Sequence, residues 1–291
     1  MFKGTITALV TPFKNGLVDG DAFGEMVEKQ VAAGIEGVVP VGTTGESPTL
    51  TRDEHLRVVE LAVRRAAGRT KVIAGSGSNS TREAIEYTQE AEKIGADAAL
   101  LVAPYYNKPT QEGVYRHFMA VANNTALPLV LYSIPGRCGI EITVETVARL
   151  AVDAQNIVAI KESGGNVDRV SKLRQALPDN FAIISGDDGL TLPFMSVGAC
   201  GVISVASNLF PAEVKAIVDS ALLGDFRTAE ILHRKYYPAF CDLFIESNPV
   251  PVKFALAAKG WMSDEVRLPL APLSAGSREK LLATLQKVGV L

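Results

Sequence analysis

Lys161 is the residue of this chain with the clearest chemical potential, because it follows an apolar run in which water should be scarce. The run, residues 157–160, reads Ile-Val-Ala-Ile. Burial without a fixed counter-charge favours the neutral amine, and a neutral lysine attacks ketones and aldehydes at neutral pH. The residues alone leave two other interpretations open: an ion pair with a carboxylate that serves as internal scaffolding, or an ammonium group that extends past the strand end into water.

A glycine- and threonine-rich turn follows another apolar run, residues 37–41. It reads Gly42-Thr43-Thr44-Gly45-Glu46-Ser47. Its successive N–H groups and two hydroxyls suit one carboxylate rather than a nucleotide triphosphate. Glycine-flanked threonines also form ordinary tight turns, so the turn gains meaning only if it lies near Lys161.

Tyrosine and arginine side chains follow two further apolar runs. Tyr132 closes the run 129–131, where a phenol can shuttle a proton, whereas packing is the simpler explanation for the pair Tyr105 and Tyr106. Arg137 lies in a loop rich in proline and glycine, residues 134–139. Such rigid surroundings suit a bidentate clamp on a carboxylate, although a solvated loop charge is the alternative.

Two acidic residues, Asp187 and Asp188, raise the question of a metal. The three histidines of the chain, His55, His117 and His233, all fall on predicted helices, so we expect no histidine-rich metal site at the strand ends. An oxygen-only magnesium site stays open, but a turn or cap is the simpler role for the two aspartates. We therefore predict no metal.

The elements that must position these groups alternate between short apolar runs and longer segments of helical period. We predict strands at 5–10, 37–41, 71–75, 98–103, 127–132, 157–161, 181–185 and 201–205. Amphipathic segments such as 21–33, 51–67, 81–94 and 111–123 are long enough for crossover helices. Eight such units predict an α/β fold of the (β/α)₈ TIM-barrel type, and the first turn, 11–16, lacks the G-x-G-x-x-G of a dinucleotide-binding fold.

We expect residues 1–224 to form the catalytic barrel and 225–291 to form a C-terminal helical extension packed on it. In such a barrel the chemistry lies at the carboxyl ends of the strands, where the polar groups above would meet. Strand parity predicts that Lys161 points into the barrel with Ala159 and Ile157, while Ile160 and Val158 pack under the helices.

Composition indicates a small-molecule partner. The chain has 291 residues, 47% of them hydrophobic, and a formal net charge of −3 without a run of Lys or Arg, which predicts no binding to nucleic acid or to an anionic membrane. It contains no apolar stretch of transmembrane length and no signal-peptide pattern at its start. Three cysteines without metal-type spacing suit a reducing compartment, so we expect a cytoplasmic protein.

Over essentially its whole length the chain resembles the dihydrodipicolinate synthase family, part of the pyruvate-dependent class I aldolase superfamily that includes N-acetylneuraminate lyase. The glycine-x-x-glycine-glutamate turn, 42–46, is typical of the superfamily. Two threonines inside that turn, and an arginine five residues after Tyr132, are typical of the synthase branch. Further matching segments are 2–4, 9–13, 104–107, 132–139, 160–162, 185–188, 201–205 and 248–253.

The resemblance implies condensation of pyruvate with L-aspartate 4-semialdehyde in lysine (diaminopimelate) biosynthesis, without metal or organic cofactor. Lys161 would form an imine with pyruvate. Thr43, Tyr132 and Tyr106 would relay protons, with Tyr106 contributed across a subunit interface. The remaining residues would bind substrate: Thr44 the pyruvate carboxylate, Arg137 the semialdehyde carboxylate, and Gly186 and Ile203 through backbone groups. The family is usually a homotetramer, a dimer of dimers.

The family also includes members inhibited by L-lysine at the dimer interface. The positions used there match Ser47, His55, Asn79, Glu83 and Tyr105, while Arg52 stands where some members have histidine. We therefore hypothesise lysine inhibition. Ser133 and Cys138 replace the asparagine and threonine common in the family, and these changes could reshape the loop that presents Arg137.

Two other functions stay open. A related pyruvate-dependent sugar-acid lyase or aldolase, of the N-acetylneuraminate or 2-keto-3-deoxygluconate type, would keep the same lysine, but Thr44 and Arg137 disfavour it. A non-catalytic barrel that binds a small molecule would need no reactive lysine. Trapping with pyruvate and borohydride distinguishes the binder from both enzymes.

Overall fold

Eight parallel strands hydrogen-bond side by side and close into a barrel in the computed structural model, which describes residues 2–291. The barrel strands are β1 (Gly4–Ala8), β4 (Gly37–Val39), β5 (Lys71–Gly75), β6 (Ala98–Val102), β7 (Leu129–Ser133), β8 (Ile157–Glu162), β9 (Ala182–Ser185) and β10 (Gly201–Ser204). β1 pairs with both β4 and β10, which closes the ring. The predicted (β/α)₈ barrel is confirmed. A small hairpin, β2 (Phe13–Lys14) and β3 (Leu17–Val18), was not predicted from the sequence.

Helices surround the strands and begin at recognisable caps. They are α1 (Gly20–Ala32), α2 (Arg52–Ala66), α3 (Thr81–Ile94), α4 (Gln111–Ala122), the short α5 (Pro135–Cys138), α6 (Val144–Asp153), α7 (Val167–Ala176), α8 (Thr191–Met195) and α9 (Pro211–Leu222). At the start of α2, the Thr51 side chain accepts from the Glu54 N–H and the Glu54 carboxylate accepts from the Thr51 N–H. This reciprocal capping fixes where the chain leaves the turn that carries Thr43 and Thr44.

Three helices follow the barrel: α10 (Phe226–Asp242), α11 (Val250–Ala258) and α12 (Ala275–Val288). Helix α10 packs against α9 and α12, and α11 also contacts α12. Within residues 2–291, no helix combines the length and the apolar character needed to cross a membrane.

The apolar core has two layers. An inner cluster fills the barrel and includes Ile6, Val39, Leu100, Ile184 and Ile203. An outer cluster lies between the strands and the helices. Successive side chains along a strand point alternately into the inner and the outer layer, because side chains in a β-strand alternate between its two faces.

Strand β8 departs from this alternation before it reaches Lys161. Leu129 pairs with Ile157, but the next residue of β7, Val130, pairs with Ala159, so Val158 is an extra residue in a bulge. Ile157 consequently packs in the outer layer, and Val158 packs partly against the inner one. The predictions for both residues are wrong, because a bulge inverts the parity on its amino-terminal side. Ala159, beyond the bulge, lines the barrel interior as expected.

Candidate active site

Lys161 is the penultimate residue of β8, and its side chain is buried in the barrel mouth, with 6% of the residue exposed. Burial lowers the pKa of the Lys161 ammonium to about 8; the Asp188 carboxylate acts in the opposite direction, and the Arg137 guanidinium lowers the pKa further. Within residues 2–291, no carboxylate forms an ion pair with Lys161. A substantial fraction of the amine is therefore neutral near physiological pH, as a nucleophile requires.

The neighbouring carboxylate, Glu162, serves a different cation. It is fully buried, and its Oε2 accepts from Arg169 Nε at 2.9 Å while its Oε1 accepts from the Gly164 N–H at 2.7 Å. Arg169 also donates through Nη2 to the Ile142 carbonyl. The sequence left open that Lys161 forms an ion pair as internal scaffolding. In the structure the buried ion pair of this strand instead joins Glu162 to Arg169.

Tyr132 lies beside Lys161 on the adjacent strand. The two residues pair in the β7–β8 register, and Lys161 Nζ lies 4.2 Å from the centre of the Tyr132 ring. Burial raises the pKa of the Tyr132 phenol to about 12, although the nearby Ser163 and Thr43 hydroxyls and the Arg137 charge partly oppose this. The phenol therefore keeps its proton at neutral pH and can donate it to a group formed on Lys161.

Thr43 and Thr44 lie in the turn after β4 and line one pocket together with Tyr132 and Lys161. The Gly45 N–H closes the turn on the Gly42 carbonyl at 3.0 Å. Val41 and Glu46 bracket it with φ of 52° and 54°, the left-handed region that β-branched and bulky residues rarely adopt. Such backbone conformations persist where the surrounding structure enforces them, often at functional sites.

Gly186 directly follows β9, and Ile203 lies near the carboxyl end of β10. A Cβ atom at residue 186 would lie 2.7 Å from Lys161 Cε and 1.9 Å from Ser163 Oγ, so only glycine leaves space for both side chains. Ile203 belongs to the inner core cluster that also contains Tyr132. The structure thus brings Lys161, Tyr132, Thr43, Thr44 and these two residues to one end of the barrel.

The two aspartates after β9 act as backbone acceptors. Asp188 Oδ2 accepts from the Val205 and Ala206 N–H groups, each at 3.0 Å, and its Oδ1 accepts from the Ser204 hydroxyl. Asp187 Oδ1 accepts from the Leu190 N–H at 3.1 Å. Both carboxylates therefore organise turns. Burial raises the pKa of Asp188 to about 6.

Arg137 lies on α5, at the border of a second pocket that shares Thr43 and Ser47 with the first. Its Nη2 donates to the Asn248 carbonyl at 3.2 Å. Around it, Ser133 Oγ accepts from the Ile142 N–H and Cys138 is buried. Ser133 and Cys138, which the resemblance identifies as departures from the family's usual pattern, are thus both buried near Arg137.

Four of the five residues matched to a lysine site, Ser47, His55, Glu83 and Tyr105, also line this second pocket. The fifth, Asn79, donates to the Tyr105 carbonyl at 3.1 Å. The His55 ring stacks on Tyr87 at 4.4 Å, and burial lowers the pKa of His55 to about 4, which keeps the imidazole neutral.

Tyr106 lies apart from both pockets. It is 89% exposed and has a φ of 70°. Within one chain, the structure does not bring Tyr106 to Lys161, and the predicted role of this tyrosine in a partner subunit's site stays a prediction.

Two residues near the site were not assigned a role by sequence reasoning. Ser163 Oγ is buried near Lys161 and near the Tyr132 phenol, whose pKa it lowers, but it makes no hydrogen bond of standard geometry within residues 2–291. Asn248 donates through Nδ2 to Thr44 Oγ1 at 3.0 Å. Ser163 could have been found by its position two residues after Lys161. Asn248 begins the matching segment 248–253, but its bond to Thr44 could not be predicted, because 204 residues separate the two.

Comparison with known proteins identifies the family of the chain. The family model described as "Dihydrodipicolinate synthetase family" matches residues 1–288. A 4-hydroxy-tetrahydrodipicolinate synthase from Geotalea daltonii is 53% identical, over 99% of each chain. The solved structure of the 4-hydroxy-tetrahydrodipicolinate synthase from Methylacidiphilum fumariolicum SolV is 56% identical, with a TM-score of 0.98 over 99% of this chain and 96% of that one.

Two further solved structures contain small molecules. A dihydrodipicolinate synthase from Acinetobacter baumannii complexed with pyruvate is 44% identical, with a TM-score of 0.98 over 100% of both chains. A DHDPS from Cyanidioschyzon merolae with lysine bound is 42% identical, with a TM-score of 0.97 over 100% of this chain and 99% of that one. On the match to the family model and the identity to these relatives, the chain belongs to the dihydrodipicolinate synthetase family.

Proposed function

We propose that the protein is a 4-hydroxy-tetrahydrodipicolinate synthase, a lyase of the class I aldolase type that condenses pyruvate with L-aspartate 4-semialdehyde. The observation that carries this proposal is the buried Lys161 amine, without an ion pair in residues 2–291 and beside the Tyr132 phenol. The protein is also similar to named synthases over essentially its whole length.

Imine formation is the first step. Lys161 Nζ attacks the ketone carbon of pyruvate and gives a carbinolamine, whose hydroxyl takes a proton and leaves as water. Tyr132 supplies that proton, since its raised pKa keeps the phenol protonated, and Thr43 connects Tyr132 to the rest of the relay. Thr44 and the backbone of residues 43–44 hold the pyruvate carboxylate.

Carbon–carbon bond formation follows from the charge on the imine. The cationic nitrogen accepts electrons when the methyl group loses a proton, which produces an enamine. The enamine carbon attacks the aldehyde carbon of the second substrate, and the amine of that substrate then displaces Lys161 and closes the ring. Arg137 binds the second carboxylate, while Gly186 and Ile203 shape the pocket through backbone groups.

Borohydride trapping tests the covalent step. Reduction in the presence of pyruvate should convert the imine to a stable secondary amine and increase the mass of the Lys161 peptide, and Lys161→Arg should abolish the adduct, because a guanidinium cannot form the imine. A non-catalytic binder predicts no adduct on the unmodified protein. If the adduct forms, product analysis with aspartate semialdehyde, N-acetylmannosamine and glyceraldehyde separates the synthase from a sugar-acid lyase.

We further infer that the protein assembles as a homotetramer, a dimer of dimers, in which Tyr106 of one subunit completes the relay of another. The exposed Tyr106 side chain supports this proposal. Mixing inactive Lys161→Arg subunits with impaired Tyr106→Phe subunits should restore part of the activity, because a mixed dimer contains one site with both residues intact. No recovery in demonstrably mixed dimers would place Tyr106 outside the relay of its neighbour.

Lysine inhibition is a separate proposal for the second pocket. Ser47, His55, Asn79, Glu83 and Tyr105 offer hydroxyl, carbonyl and carboxylate groups suited to an amino acid, and a lysine-bound relative supports the assignment. Initial rates should fall as L-lysine reaches millimolar concentration. Unchanged rates would end the proposal.

We also propose that the protein is cytoplasmic. Its three free cysteines support this location, because thiols stay reduced there.

A further inference from the structure

The connection between α10 and α11 contacts both groups that we assign to substrate carboxylates. Asn248 Nδ2 donates to Thr44 Oγ1 at 3.0 Å, and the Asn248 backbone carbonyl accepts from Arg137 Nη2 at 3.2 Å. Asn248 is 6% exposed. One residue of the C-terminal helical region therefore touches the turn after β4 and the helix α5 at the same time.

A buried ion pair holds this connection against the turn. Lys253, on the first turns of α11, donates through Nζ to Glu46 Oε1 at 2.6 Å and to the Thr11 carbonyl at 2.9 Å. Glu46 lies two residues after Thr44, and its Oε2 accepts from the Arg267 N–H at 3.1 Å. Because both charges of the pair are almost fully buried, the ion pair cannot exchange freely with water. The segment 248–253 is consequently fixed relative to the segment 44–46.

The hydrogen bond from Asn248 determines what the Thr44 hydroxyl can still donate to. A threonine hydroxyl has one hydrogen to donate and two lone pairs to accept with. The Asn248 amide N–H occupies a lone pair of Thr44, which leaves the hydroxyl hydrogen available. Within residues 2–291, no other side chain or backbone group hydrogen-bonds to Thr44 Oγ1. Thr44 is buried and lines the Lys161 pocket, so an acceptor bound there is the natural partner of that hydrogen.

We propose that Asn248 is a positioning residue that orients the Thr44 hydroxyl to donate to the carboxylate of the 2-oxo acid. The proposal rests on the function proposed above and extends it to a residue of the C-terminal region. Asn248 Oδ1 has no partner in residues 2–291, so the bond from Nδ2 to Thr44 is the one hydrogen bond that the Asn248 side chain makes there.

Substitution at residue 248 separates this role from simple packing. Asn248→Ala should raise the KM for pyruvate by about tenfold or more, because an undirected hydroxyl loses part of its bond to a charged carboxylate. Asn248→Asp should raise the KM further, since a carboxylate accepts the Thr44 hydrogen and repels the substrate. Asn123→Asp makes the same charge change at an exposed site after α4, at the opposite end of the barrel, and should retain the pyruvate KM of the unmodified protein.

Coupling to Thr44 provides the decisive measurement. Thr44→Val removes the hydroxyl that Asn248 orients, so adding Asn248→Ala to Thr44→Val should change the pyruvate KM by less than about twofold. Thr44→Ser retains the hydroxyl and should restore the sensitivity to Asn248→Ala. If the penalties of Thr44→Val and Asn248→Ala multiply instead, Asn248 acts independently of Thr44 and the inference is overturned.

Pyruvate trapping keeps failure of this inference distinct from failure of the proposed function. If the unmodified protein forms no borohydride-trapped adduct with pyruvate, the proposed function fails. A second outcome is that the adduct forms, but the folded Asn248→Ala and Asn248→Asp proteins have the same KM for pyruvate as the unmodified protein. In that case only the proposed role of Asn248 fails. Should either variant not fold, the same readout on Asn248→Ser, which also cannot reach Thr44 with an amide, decides the question.

Discussion

Lys161 and Lys253 are both buried beside an aromatic ring, yet their surroundings suit opposite purposes. The Lys161 ammonium lies 4.2 Å from the centre of the Tyr132 ring, and the Lys253 ammonium lies 4.2 Å from that of Phe13. Lys253 donates to the Glu46 carboxylate at 2.6 Å, whereas Lys161 has no ion pair within residues 2–291. The burial of a lysine therefore does not define its role; the partner of its nitrogen does.

The difference shows how a direct partner changes the electrostatic environment of a buried lysine. Burial lowers the pKa of both lysines, but Glu46 opposes this effect at Lys253 by direct contact. The ion pair of Lys253 with Glu46 joins α11 to the turn that carries Thr43 and Thr44. Lys161 has only the more distant Asp188 charge to support its ammonium form, so its amine loses the proton more easily. Three predictions test this contrast.

The largest effect should come from removing the cation of the paired lysine. Lys253→Met leaves the Glu46 carboxylate buried without its partner and should lower the free energy of unfolding by about 3–5 kcal/mol, the usual penalty for breaking a buried ion pair from one side. Denaturant titration measures this loss. Lys287→Met, at an exposed position on α12, is the matched control and should change the stability by less than about 0.5 kcal/mol.

A second substitution isolates the charge. Lys253→Met combined with Glu46→Gln removes the unpaired negative charge and should recover part of the lost stability. If the double variant is no more stable than Lys253→Met alone, the loss comes from packing of the lysine stem and the comparison of the two lysines weakens.

The sequence allowed prediction of the barrel and of Lys161 but not of this contrast. Eight apolar runs of strand length, separated by helical segments, determine a parallel barrel, and Lys161 stood out as a charge inside one of them. Lys253 occupies an equally apolar segment, 250–258, and although residues 248–253 match the family pattern, no local feature indicates an ion pair. Its partner Glu46 is 207 residues away, and pairing at that separation is decided only when the barrel closes.

The errors of prediction have the same origin. The bulge at Val158 depends on how β8 pairs with β7, so parity along one strand placed Ile157 on the wrong face. Similarly, the hydrogen bond from Asn248 to Thr44 spans 204 residues of sequence and has no local signature. Motifs within one strand or one turn are readable from sequence, whereas contacts that the folded barrel creates require the structure.

A smaller effect of opposite sign is expected at Lys161. Its ordinary pKa of 10.5 is lowered to about 8 in the folded protein, so the folded state carries a penalty for the charged form at neutral pH. Lys161→Met, which keeps a similar apolar stem, should raise the free energy of unfolding by roughly 3 kcal/mol below pH 8. Activity and stability should thus change in opposite directions in this variant.

The pH dependence of that stability gain identifies its cause. Between pH 8 and 10.5 the unfolded chain binds more protons at Lys161 than the folded one, so the unmodified protein gains stability as the pH rises. The advantage of Lys161→Met should be constant below pH 8 and should shrink toward pH 10.5. Denaturant titrations of both proteins at several pH values test this, and a gap that does not change with pH would assign the gain to packing.

The smallest effect concerns the rate at which Lys161 reacts. Only the neutral amine attacks pyruvate, so the rate of cyanoborohydride trapping should rise about tenfold per pH unit below pH 8 and level off above it. Tyr132 keeps its proton throughout this range, because its pKa is raised to about 12, and Asp188, with a pKa of about 6, is ionised above pH 7. The inflection between pH 7 and 9.5 therefore reports Lys161.

Arg137→Leu removes a positive charge that lowers the pKa of Lys161, so the inflection should move to higher pH in this variant. Arg116→Leu, on the exposed face of α4, is the control and should leave the inflection in place. An inflection near 10.5 in the unmodified protein would mean that Lys161 is solvated when pyruvate arrives, and the two buried lysines would then differ in geometry but not in reactivity.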